Sequence, residues 1–173
     1  MLFRSKDKLI KYATSENVRK SIFLTSFEIS KKNAGFGAGF GRYGSAISTR
    51  YYSPEYYKYG FNTMYGAFGN NMNHITDQWW GWYIGESGMI GMSCFLIALF
   101  LIIKELINIA KLNHSKCKNI TIIAYTAIGG LVYGVGSGFA SGGLSGPPGS
   151  YLIMGLPAMA ISINFSSSLK NAN

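Results

Sequence analysis

NITIIAYTAIGGLVYGVGSGFASGGLSGPPGSYLIMGLPAMAISINFSSSL, residues 119–169, is a run of 51 residues without one Asp, Glu, Lys or Arg. A stretch this long, uncharged and rich in Ile, Leu, Ala and Gly fits a lipid environment. The chain before it is different. Residues 1–60 hold eleven Lys or Arg against four acids, Asp7, Glu16, Glu28 and Glu55, and so supply most of the net charge of +9. The overall hydrophobic content of 48% hides this division. The contrast predicts an all-α integral membrane protein with a basic, aromatic working segment, residues 1–78, ahead of a membrane part, residues 79–173.

Working outward from the uncharged run, the spacing predicts about three transmembrane helices, at 79–103, 120–140 and 151–167. Met89–Ile103 is apolar or small throughout, about 22 Å at ~1.5 Å per residue. A crossing takes about 20 residues, so the first span draws on the Trp-rich lead-in, where Trp79, Trp80, Trp82 and Tyr83 suit a lipid–water boundary. Lys104–Lys118 reads as a short loop whose lysines place it on the cytoplasmic side. Ser141–Ser150 reads as an outer turn, and Pro157 falls within the last span. Upstream, Ser15 reads as the N-cap of an amphipathic helix over Asn17–Lys32, with Val18, Ile22 and Ile29 on one face. Residues 33–76 carry Gly, Tyr and turn signals without a period, which predicts a structured loop with short helical turns. By the same orientation rule that loop lies outside, which in a bacterium means the periplasm. The polar start, without an apolar signal core, reads as the beginning of a C-terminal part of a longer protein. Cys94 and Cys117 lie in unlike surroundings and read as free thiols. Nothing in the residue pattern matches a nucleic-acid-binding signature.

Three patches stand in order: GFGAGFGRYGS (Gly35–Ser45), YYSPEYYKYGFNTMYG (Tyr51–Gly66) and TDQWWGWYIGESGMIG (Thr76–Gly91). Together with the apolar helix that follows and Arg19 in the helix before, this set resembles the O-antigen polymerase and O-antigen ligase superfamily, most of all polymerases of exopolysaccharide or capsule. The resemblance covers most of residues 15–165 and the C-terminal third of such proteins. It implies a glycosyltransferase of the bacterial inner membrane that joins undecaprenyl-diphosphate-linked repeat units at the periplasmic face. It implies no cofactor, nucleotide sugar or metal. The partners it implies are the lipid-linked glycan, membrane lipid and a chain-length regulator or flippase. A ligase would instead pass the glycan to the lipid A core, and a truncated chain would be non-catalytic. Ligases of this family carry a histidine where the outer loop meets the helix; here that place reads Thr76-Asp77-Gln78, which favours the polymerase.

The chemistry narrows the candidates. Arg19, Arg42 and Arg50 are the cations for a diphosphate, because a guanidinium gives bidentate, charge-assisted bonds to phosphate oxygens. Asp77, Glu86 and His74 are the candidate general bases. On one regular helix Asp77 and Glu86 would stand ~13.5 Å apart along the axis and about half a turn around it, so they do not form a close pair. Glu86, deeper in the apolar run, calls for a cation or backbone N–H partners. Tyr51, Tyr52 and Tyr56, with Trp79 and Trp80, offer ring faces for sugar C–H groups; an interfacial belt would use the same residues. Gly39-Phe-Gly-Arg-Tyr-Gly44 has the form GxGxxG but follows a helix, so a turn or a backbone anion nest is expected rather than a dinucleotide site. Gly129, Gly130, Gly134, Gly136 and Gly138 are expected to let helices approach closely.

Overall fold

The computed structural model describes residues 3–64, 66–69, 72, 75–76, 78–115, 117–139 and 149–170. Every regular element among them is helical. In chain order these are α1 (Phe3–Lys32), α2 (Ala46–Arg50), α3 (Pro54–Lys58), a 3-10 turn (Phe61–Thr63), α4 (Trp79–Asn113), α5 (Lys118–Ser137) and α6 (Gly149–Lys170). The chain divides into two compact units, Met1–Ser93 with Phe139–Gly142, and Cys94–Gly138 with Gly143–Asn173.

In the first unit, α1 is one helix of 30 residues. The expected start at Ser15 is therefore corrected. No Gly or Pro interrupts residues 1–32, so nothing in the backbone ends the helical ladder there. Val18, Ile22 and Ile29 are buried as expected, and Ser26 and Ser30 join them on that face. This stripe packs on a core of Tyr43, Tyr56, Phe61, Ala67 and Ile75. Residues 33–64 wind across it as short turns. Ser45 caps α2 by accepting from Ser48 N, and Ser53 caps α3 with Pro54 as its first residue, the N-terminal arrangement that supplies missing acceptors and a preset φ. Phe139 lies in this unit too: its ring stacks on Trp80 at 5.3 Å and its carbonyl accepts from Gln78 Nε2 at 3.4 Å.

The second unit takes the later part of α4 with α5 and α6. Leu99, Leu106, Ile109 and Ala110 from α4 meet Ile120, Ala124, Ala127 and Leu131 from α5 and Ala160 from α6. The expected loop from Lys104 is thus largely helix, continuing to Asn113. Charge ends an apolar span but not a helix, since Lys and Glu are good helix formers. Only a tight turn remains, closed by Cys117 N donating to Asn113 O at 2.9 Å. Asn113 Nδ2 also reaches Asn164 Oδ1 at 2.8 Å, tying α4 to α6.

Two of these helices, α4 and α5, are long and apolar enough to cross a membrane, with mean hydropathies of 2.3 and 1.5 over their best windows. Much of the surface they leave open is apolar: Phe100 and Leu101 on α4, and Ile122, Val132 and Tyr133 on α5, are exposed. In α6 the apolar part is the shorter Ile153–Ser166, with Pro157 inside the helix. Of the α5 glycines expected to let helices approach closely, Gly134 is buried, whereas a Cβ at Gly129, Gly130 or Gly136 meets nothing within 4 Å among the described residues.

Candidate functional site: a broken helix closed by a glycine loop

α4 is broken at Gly88, whose φ of 74° and ψ of −177° lie outside the helical region. An unbroken helix would bond Met89 N to Gly85 O and Ile90 N to Glu86 O. At the break both pairs are parted, and all four groups find new partners in residues 30–39. Gly85 O accepts from Ala38 N at 2.8 Å, and Glu86 O from Gly39 N at 3.1 Å. Met89 N donates to Ser30 Oγ at 2.8 Å, and Ile90 N to Gly35 O at 3.1 Å. Ser30 Oγ in turn donates to Gly35 O at 3.1 Å. The loop after α1 thus serves as a splint, and these four groups at the break are all paired, as buried backbone requires.

This fit depends on missing side chains. A Cβ at Gly37 would run into the Glu86 carbonyl, and one at Gly88 into the Gly35 carbonyl oxygen. The two backbones come this close only because both lack Cβ atoms. The conformation of Gly88 is itself open almost only to glycine.

Tyr43 ties the rest together. It is fully buried. Its N–H donates to Glu86 Oε1 at 3.3 Å and its hydroxyl to Ile22 O on α1 at 2.9 Å. Its ring lies against Gly85, where any Cβ would clash, and 5.8 Å and 6.2 Å from the rings of Tyr56 and Phe61. Tyr56, also fully buried, accepts from Gly44 N at 2.8 Å and shares a 2.6 Å hydrogen bond with Ser48 Oγ. Burial, ahead of the neighbouring Tyr56 charge, pushes the Tyr43 phenol well above its ordinary range. Burial likewise pushes Tyr56 up to about 12, against the lowering effect of its hydrogen bonds. Both stay neutral as donors and acceptors through the physiological range.

The candidate residues fall into separate groups. Glu86 is 6% exposed, with backbone N–H as partner, and makes no ion pair among the described residues. Arg42 and Arg50 are exposed and unpaired by any acid among the described residues, and Arg19 on α1 is half-buried. Asp77 and His74 lie outside the described residues. Tyr56 does not present a face to a ligand, being core. Trp79 and Trp80 are buried too, in edge contact with each other at 5.0 Å. Tyr51 and Tyr57 are exposed; Tyr52 is half-buried, at φ 42°, with Tyr57 and Phe68 rings each 4.9 Å from its own. Burial and the neighbouring phenols push Tyr52 up to about 12.

Most of the backbone donors that an anion nest in the glycine loop would use are engaged within the protein. The N–H groups of Gly35, Phe36, Ala38, Gly39, Arg42, Tyr43 and Gly44 are all spent on protein acceptors. Sequence reasoning missed Tyr43 and Ser30, and the part played by Gly88. The available signal was the pairing of two side-chain-poor segments, Gly35–Gly41 and Gly85–Gly91, one of them inside an apolar helix. Among the described residues no three His, Cys, Asp or Glu side chains gather into a metal-ligand set. Comparison of the chain with protein-family models, curated proteins and solved structures finds no match.

Proposed function

We propose that this chain forms the C-terminal working part of a membrane glycosyltransferase that polymerises undecaprenyl-diphosphate-linked repeat units. In this reading the chain sits in the bacterial inner membrane as a multi-pass protein, α4, α5 and α6 crossing it, with residues 33–76 in the periplasm. The observation that carries it is the convergence of the three sequence patches on Tyr43. That residue lies in the first patch, packs on Tyr56 of the second, and bonds Glu86 of the third. Segments that resemble one family in order along the chain also form one body.

The reaction is transfer at an anomeric carbon. The acceptor hydroxyl forms the new C–O bond while the bond from that carbon to the diphosphate breaks. The electron pair leaves with undecaprenyl diphosphate, and the hydroxyl proton passes to Asp77 or His74. Arg42 and Arg50 meet the charge that develops on the leaving diphosphate, with Arg19 as a third cation; what supports this is that both are exposed and make no ion pair among the described residues. Glu86 is a positioning residue: its carboxylate holds the Tyr43 backbone.

The test is polymer length in cells whose surface polysaccharide depends on this gene. Arg42→Ala and Asp77→Ala should leave single repeat units on the carrier, whereas Glu86→Gln, which keeps an acceptor oxygen for Tyr43 N, should retain long polymer. Normal chain lengths in both of the first two variants would end the proposal.

A further inference from the structure

The loop that splints α4 also carries an apolar tip. Gly37, Ala38 and Gly39 face inward on the Gly85 and Glu86 carbonyls. On either side of them Phe36 is 59% exposed and Phe40 86%. Phe40 stands at the head of a turn closed by Arg42 N donating to Gly39 O at 3.3 Å. Ile47, whose Cγ2 lies 3.3 Å from a Cβ built on Gly41, and Tyr51 are exposed nearby in sequence. Arg42 and Arg50 are exposed among these side chains and make no ion pair among the described residues. Large apolar side chains interleaved with free guanidinium groups are the composition of a surface that lies in a lipid headgroup layer.

The connectivity gives the height. Gly35 O holds Ile90 N, and Ile90 is the second residue of the uncharged run Met89–Ile103. The Trp-rich lead-in, expected at the lipid–water boundary, instead has Trp79 and Trp80 buried within the first unit, so a loop bonded at Ile90 is held level with the start of the apolar run, where a bilayer's headgroups would lie.

We infer that the Gly35–Arg50 segment is an interfacial anchor: Phe36 and Phe40 insert among the lipid chains nearest the surface, and Arg42 and Arg50 bind the phosphates of anionic lipids. This rests on α4 crossing the bilayer, and not on the glycosyl-transfer chemistry. It goes beyond that chemistry in assigning the loop a partner, the anionic membrane surface, at the level where a lipid-borne diphosphate also lies.

The experiment measures depth. In the full chain carrying Cys94→Ser and Cys117→Ser, a single cysteine is introduced as Phe36→Cys, Phe40→Cys or Phe100→Cys and labelled with an environment-sensitive fluorophore. Phe40 is almost wholly exposed, so its replacement removes little packing, and Phe36→Cys provides an independent position. The protein is reconstituted into phosphatidylcholine vesicles with or without phosphatidylglycerol. Nitroxide-bearing lipids then report depth. The expected result is a blue-shifted label at Phe36 and Phe40, quenched most by nitroxides near the headgroups. The inserted-to-free ratio of the loop should rise in anionic vesicles and fall about fivefold for each of Arg42→Gln and Arg50→Gln. The Phe100 label should be quenched most by nitroxides at the chain ends. Loop labels that stay water-exposed would overturn the anchor, as would labels that shift blue without quenching, which means that protein covers the tip. An unquenched Phe100 label would overturn the membrane reading along with it.

Discussion

Replacing Gly88 by alanine tests the splint directly. Two routes are open to the variant, and both are costly. If the break persists, alanine must adopt φ 74° and ψ −177°, a conformation that costs a non-glycine residue about 1–3 kcal/mol. The new Cβ must also displace the Gly35 carbonyl and the Gly37 nitrogen, the latter only 2.6 Å away. If α4 straightens instead, Met89 N and Ile90 N regain their helical acceptors, and alanine contributes about 1 kcal/mol of helix propensity. The loop is then expelled. Its four bonds to α4 go, each worth about 0.5–1.5 kcal/mol net, and the loop draws Tyr43 away from Gly85, Tyr56 and Phe61. Losing an aromatic core side chain costs about 3–5 kcal/mol. The variant takes the cheaper route, with the break kept, and is destabilised by about 3 kcal/mol. For a chain of this length that corresponds to a melting shift of roughly 6–12 °C. All three tryptophans, Trp79, Trp80 and Trp82, lie on the first part of α4, so their fluorescence during heating in detergent reports this region. Trypsin provides the second readout, since expulsion of the loop should speed cleavage after Arg42. Gly129→Ala is the control: its Cβ meets nothing within 4 Å among the described residues, and the variant should melt no lower than the parent. A Gly88→Ala protein that melts with the parent and shows the same cleavage rate would refute the account of the break.

Three further outcomes are expected. Ser30→Ala removes the acceptor of Met89 N and leaves that donor unpaired, at about 2 kcal/mol; Ser30→Thr, which keeps a hydroxyl, should recover part of the loss in the same melt. Tyr43→Phe removes the hydroxyl, with its 2.9 Å bond to Ile22 O and its interaction with Thr25, and should cost about 1 kcal/mol, whereas Tyr43→Ala opens a core cavity and should cost about 4 kcal/mol. Alkali should unfold the first unit. Tyr56, with a folded-state value of about 12 against about 10 in an unfolded chain, favours the fold fully below pH ~10, and that preference is lost as pH rises through ~12, a contribution of up to about 3 kcal/mol. Phenolate absorbance and tryptophan fluorescence should therefore change together across that window, and Tyr56→Phe should shift the transition.

The helical class was legible because its signals are local. The uncharged stretch and the recurrence of Val18, Ile22 and Ile29 are both read from the chain immediately around them. Helix ends were less legible for the same reason. Ser15 has the chemistry of a cap, but a cap residue inside a good helical run does not end it. Lys104 and Glu105 mark where apolar character stops, which is a statement about solvent, while the backbone ladder continues to Asn113 because nothing in KELINIAKLN opposes it. The break at Gly88 was the hardest feature to see. Glycine in an apolar helix is usually tolerated at a cost of about 1 kcal/mol. Its meaning here comes from Gly35–Gly39, some fifty positions earlier, and no local pattern encodes that pairing.

The candidate site shows the same division. Arg42 and Arg50, singled out by side-chain chemistry alone, are exposed. The acids and aromatics are sorted by burial, which no single residue announces. Glu86 was rightly expected to need backbone N–H groups or a cation, and the N–H it receives comes from Tyr43. That bond has a consequence for roles. A carboxylate 6% exposed and engaged by Tyr43 N is poorly placed to take a proton from a substrate hydroxyl, for it would first have to release the turn that it holds. The proposed transfer therefore looks for its proton acceptor in the stretch before α4, where Asp77 and His74 lie in sequence, and the exposed arginines of the glycine loop stand on the body that Glu86 helps to close.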